Sequence, residues 1–195
     1  MEQNSQPDAD KTALEAQIRE CFGRVVYATK THEKDADLCM QWLGRVKLAQ
    51  IVLSALTTGG LVTVLIGEQN TSHIAAIVSA VFSTILLVLN AYIKDVDPGQ
   101  QAEQHKQTAA ELWDVRESYL SILSDLQSPG IDIDLIRSKR DELQSKLAGI
   151  YSSAPRTTRK AYKHASQGLK MREEMTFSDE EIDKFLPDAL RKQAS

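Results

Sequence analysis

The chain has 195 residues, enough for one ordinary domain, with 42% apolar content and a formal net charge of −4. That mild acidity, with an isoelectric point near 5.6, argues against a nucleic-acid reader. Cys21 and Cys39 have no C-x-x-C partner, which argues against a disulfide framework or a thiolate metal cluster and for small packed residues in a reducing compartment.

Residues 1–9 are polar, carry Pro7 and are expected to be disordered. The first 40 residues show no basic n-region, apolar h-region or A-x-A site, so the first apolar span is expected to act as its own insertion signal. From Asp10 a helix is predicted. Leu14, Ile18, Cys21, Val25, Ala28, His32, Ala36, Cys39 and Leu43 recur three and four apart, a narrow stripe suited to a bundle seam. No strong stop precedes the apolar region, so this helix is expected to continue into it.

Two uncharged stretches follow, Leu48–Ile66 and Ile74–Ile93, hidden beneath a mean hydropathy of −0.30. Each is about 20 residues, the length a helix needs to cross a hydrocarbon core of roughly 30 Å. Neither has the polar face of a soluble helix, which argues against two core helices of a soluble bundle. Residues 67–73 (GEQNTSH) form a turn too short to hold a domain. A transmembrane hairpin over 48–93 is therefore expected. Trp42 and Tyr92 stand where interfacial aromatic anchors belong. Lys30, Lys34, Arg45 and Lys47 precede the hairpin, Lys94 follows it, and the turn has no Lys or Arg. The positive-inside rule then places both termini in the cytoplasm.

Beyond the hairpin, Asp97-Pro98 is a helix start, and Thr108, Leu112, Val115, Tyr119, Ile122 and Leu126 form one apolar face that ends at Ser128-Pro-Gly130. Antiparallel packing of this face on the N-terminal stripe is expected. Further helices are predicted over about 134–151, with Ile136, Leu143, Leu147 and Ile150 on one side, and from Ser153-Ala-Pro155 to about Leu169. Phe177-Ser-Asp-Glu-Glu181-Ile182 carries a capping box with staple positions. Pro187 permits a restart over 187–192. The fold expected is all-α: a long N-terminal helix (10–47), the hairpin, and a cytosolic C-terminal helical region (94–195).

No phosphate-binding glycine motif, nucleophile elbow or i, i+4 histidine pair is present, so neither an enzyme nor a cofactor is expected. His32 reads as a packed, hydrogen-bonded residue of the stripe. Three features carry more. Gln50, Ser54 and Thr57 share one face of the first span, and Ser79, Ser83 and Asn90 one face of the second. Such groups bond helices together or line a water-filled path. Small residues at Ala55 and Gly59, Gly60, and Ala76 and Ala80 allow close helix approach. Together these faces exceed what one hairpin needs, which argues for association between copies. Finally, Pro155–Arg172 holds Arg156, Arg159, Lys160, Lys163, Lys170 and Arg172 with no acidic residue. It reads as a solvated face, or as a contact for anionic lipid or a negatively charged partner.

The stretch Ile18–Lys34 resembles the pre-membrane helix of the SLATT family, the SMODS and SLOG-associating two-transmembrane effector domains. The resemblance continues through Ile51–Gly60, Leu89–Tyr92 with Lys94-Asp95, Leu112–Leu120, Arg140–Leu143, Ala154-Pro155 and Phe177–Leu186. It spans about Glu15 to Lys192, and the order of the pieces around a two-span hairpin is its specific part. It implies a bacterial anti-phage conflict-system effector. Such proteins are encoded beside nucleotide second-messenger synthetases, nucleotide sensors or reverse transcriptases, and are proposed to oligomerise and open a pore in the inner membrane. No catalytic motif is transferred, and the trigger is expected from a cytosolic sensor or nucleotide-signalling partner. A non-conducting membrane scaffold and a membrane-anchored nucleotide sensor are the alternatives.

Overall fold

The computed structural model describes residues 6–187 and 191–192, and the described residues form six helices and no strand. α1 (Gln6–Ile66) is one unbroken helix of 61 residues joining the extramembrane part to the first span. It begins at Gln6, ahead of the predicted start at Asp10. Residues 1–5, the rest of the segment expected to be disordered, lie outside the described residues.

The break between the spans is shorter than the composition suggested. α2 (Gln69–Val96) starts at Gln69, not Ile74, with Glu68 as its N-cap. The Ser72 hydroxyl donates to the carbonyls of Gly67 and Glu68, so the polar residues of the supposed turn supply the helix's first turns instead. Asp97 both ends α2 and starts α3 (Pro98–Asp125). It takes a left-handed backbone (φ 38°), and its carboxylate accepts from Gln100 N at 3.0 Å. Aspartate tolerates this conformation better than most residues, and Pro98 at the first helical position fixes the direction of departure.

α3 runs back along the lower half of α1, the antiparallel arrangement predicted. Leu14, Ile18 and Val25 of α1 meet Leu112, Val115, Tyr119, Ile122 and Leu126 of α3. α4 (Ile133–Ser153) closes this core with Ile136, Leu143 and Ile150. Asp132 caps α4 by accepting from the amides of Asp134 and Leu135.

α5 (Arg159–Met171) begins later than the Ser153-Ala-Pro155 signal indicated. Thr158 is its N-cap, accepting from Ala161 N, and residues 155–158 are an extended connector. α5 lays Ala161, Ala165 and Gly168 against α1. α6 (Asp179–Phe185) has the predicted capping box between Ser178 and Glu181, but Phe177 and Ile182 remain exposed rather than closing a staple. The helix restart predicted over 187–192 falls largely on positions outside the described residues.

Candidate functional site

The apolar parts of α1 and α2 stand bare. Their most hydrophobic windows are 0% and 6% buried, and Leu65 and Ile66 are more than four-fifths exposed. Core helices of a soluble bundle would be covered; these need a bilayer. The half-buried positions Gln50, Leu53, Thr57, Gly60 and Val64 face Ala75, Ser79, Phe82, Leu86 and Leu89, three and four residues apart on both helices. That is the spacing of a coiled-coil seam.

The seam divides the residues singled out from the sequence. Gln50 Nε2 donates to Asn90 Oδ1 at 2.6 Å, so these two are joined within one hairpin. Ser79 is buried against Gly60, where an added Cβ would stand 2.0 Å from the Ser79 Oγ. Thr57 is half-buried and donates to Leu53 O. By contrast Ser54, Ala55, Gly59, Ala76, Ala80 and Ser83 are exposed, and nothing lies within 4 Å of a Cβ placed on Gly59. Trp42 and Tyr92 meet edge to face, ring centroids 6.1 Å apart, at the mouth of the hairpin.

Below the hairpin a polar cluster ties α1 to α3 and α5. His32 and His105 face each other, Nδ1 to Nδ1, at 2.9 Å, both nearly inaccessible. One neutral ring must donate and the other accept. Burial, then the neighbouring His105, pushes His32 down to about 4; burial also lowers His105, and Asp35 opposes both shifts. Asp35, 2% exposed, accepts from the Thr158 amide at 2.9 Å and from its hydroxyl at 2.6 Å. At the other end of α5, Glu174 pairs with Lys30 (2.8 Å) and Lys34 (2.9 Å), which hold its carboxyl at about 2. Both ends of α5 are therefore pinned to α1 between residues 30 and 35.

That level matters for the basic stretch. Asp35 lies thirteen residues before Leu48, about 20 Å along a helix, whereas a headgroup layer is roughly 5–8 Å deep. Arg156, Arg159, Lys160, Lys163, Lys170 and Arg172 are all exposed, on the element held at that level. The sequence reading missed His105, Asp35 and Glu174, each of which acquires its role from a distant segment. It also passed over Thr158, whose only local signal is that threonine is a favoured N-cap residue. An open groove of about 940 Å³ runs beside the connector, lined by Tyr27, Tyr151, Tyr162 and Pro155 with Arg24 and Arg156 at its edge. Cys21 and Cys39 are free and half-buried. No cluster of metal-binding side chains occurs among the described residues.

A bare two-helix hairpin continuous with a helical bundle defines a two-pass membrane protein. The sequence matches the model of the SMODS and SLOG-associating 2TM effector domain family 4 over residues 14–181, and the chain belongs to that family. No curated protein and no solved structure matches it.

Proposed function

We propose that this chain is the membrane effector of a bacterial anti-phage conflict system, a homo-oligomer that opens a pore in the inner membrane on a signal from a cytosolic partner. Both termini face the cytoplasm in this reading, and the chain acts without catalysis of its own. The observation that carries it, beyond family membership, is the unbroken α1. The helix whose lower half is gripped by α3 and α5 is also the first wall of the hairpin, so a shift of the bundle moves the span directly.

The outward residues Ser54, Ala55, Gly59, Ala76, Ala80 and Ser83 give neighbouring hairpins a close-packing surface carrying hydroxyls. Gln50 and Asn90 serve the hairpin first and reach a path only if their mutual hydrogen bond opens. Dye efflux from liposomes containing the purified chain and its activating partner tests the reading. Ser54→Leu with Ser83→Leu should abolish efflux while leaving insertion intact; undiminished efflux would remove these serines from the path. Absence of efflux under every activating condition would favour the scaffold, and nucleotide binding without efflux the sensor.

A further inference from the structure

We propose that the tyrosine-lined groove beside α5 receives α6 of a second copy of this chain. This rests on the self-assembling reading above and names the surface through which copies would hold one another.

α6 is held by polar contacts alone: Lys192 pairs with Asp179, and Arg191 donates to the carbonyls of Asp183 and Leu186, while its apolar side stays uncovered. It has no buried residue, and Phe177, Ile182 and Phe185 are 65%, 42% and 82% exposed. Isolated helices shorter than about 12–15 residues are marginal in water, and the Ser178–Glu181 capping box offsets only part of that deficit. The helix therefore needs a surface for its apolar side. It is also acidic, with Asp179, Glu180, Glu181 and Asp183 against Lys184.

The groove has the complementary chemistry. Tyr27, Tyr151, Tyr162 and Pro155 offer an aromatic floor for Ile182 and Phe185, with Arg156, unpaired among the described residues, beside it and Arg24 already paired with Glu20. On the adjoining helix Arg159, Lys163 and Lys170 lie opposite the buried Ala161–Ala165–Gly168 face, so they point away from α1. They have no ion-pair partner among the described residues. On α4, by contrast, Arg137, Lys139, Arg140 and Lys146 are paired.

Two observations favour a neighbouring copy over the chain's own tail. The chain's own α6 leaves the groove open, with Glu174 fixed on Lys30 and Lys34 and left-handed backbone on either side at Glu173 and Met175. Copies in a membrane ring are related by rotation about the membrane normal, which keeps every residue at its own height. The tail leaves from the level of Lys30–Lys34, and along α1 the groove spans Glu20–His32. The tail of one copy and the groove of the next thus sit at matching heights.

The test uses the full chain in detergent with Cys21 and Cys39 replaced by Ala. One tagged preparation carries Phe185→Cys, a second, differently tagged, carries Thr157→Cys, and helical content is checked by circular dichroism. The expected result is an oxidised cross-link between the two tags. Arg156→Glu with Arg159→Glu should lower its yield about tenfold, the effect of a loss near 1.4 kcal/mol, and Glu180→Arg with Asp183→Arg should restore it. Light scattering on the unmodified protein separates the two layers. A monomer would defeat the self-assembly reading itself. An oligomer without the cross-link, or one in which the link forms only inside a chain carrying both cysteines, would overturn this inference alone.

Discussion

His32 and His105 are two titratable rings committed to one hydrogen bond in a buried place. The folded chain resists protonating them, whereas an unfolded chain takes those protons near pH 6.5. Their contribution to stability is therefore complete above about pH 6.5 and declines as the pH falls below it, for His32 down to about 4, by at most about 1.4 kcal/mol per pH unit for each ring. Melting temperatures measured between pH 7.5 and 4.5 should fall along this curve. His32→Leu with His105→Leu should flatten it, and His32→Leu alone should destabilise at every pH by about 1–3 kcal/mol, because the His105 Nδ1 is left buried and unpaired. In the membrane the contrast is between neighbouring glycines. Gly60→Val would drive its side chain into Ser79, while Gly59→Ala meets open space. Unfolding in detergent should show the first strongly destabilised and the second close to wild type.

At the scale of elements, α5 is held by its ends. Its N-terminus hangs on Asp35, a buried carboxylate satisfied only by Thr158 among the hydrogen bonds described, and its C-terminal turn on the Glu174 ion pairs. Asp35→Ala removes both acceptors and should free the 154–158 connector for proteolysis without opening the α1–α3 core. Limited digestion followed by mass mapping checks this, and protection equal to wild type would show that the alanine face of α5 suffices. This element also marks where sequence reading failed. Pro155 looked like a helix start because proline favours a first turn, but Asp35, far away in the chain, fixes Thr158 as the cap.

For the whole molecule, the decisive property is that one helix belongs to both halves. From Asp37 to Ile66 the chain rises through 29 residues without a break, about 44 Å at helical pitch. Spin labels at those two positions, with Cys21 and Cys39 replaced, should give one narrow distance near that value. Val46→Pro removes a hydrogen bond and bends the helix just below the span. It should broaden the distribution while leaving the Gln50–Asn90 seam and membrane insertion unchanged. A distribution as narrow as the unmodified one would mean that α3, not α1, carries the rigidity.

The sequence by itself determined what depends on spacing and on local chemistry. The spans were legible because an uncharged run of twenty residues has no stable home in water. The α1 stripe and the α3 face were legible because a three-and-four spacing forces apolar side chains onto one side of a helix, and the Ser178–Glu181 cap because both its partners lie within one turn. Only the tertiary structure decided which polar residues of the spans face each other. Ser79 and Ser83 are the same residue type four apart, yet one lies in the seam and the other outside it, since that choice depends on the rotation of α2 against α1. The same holds for His105, Asp35 and Glu174. A buried charge or imidazole is defined by the partner that satisfies it, and for each of these the partner sits more than 70 residues away.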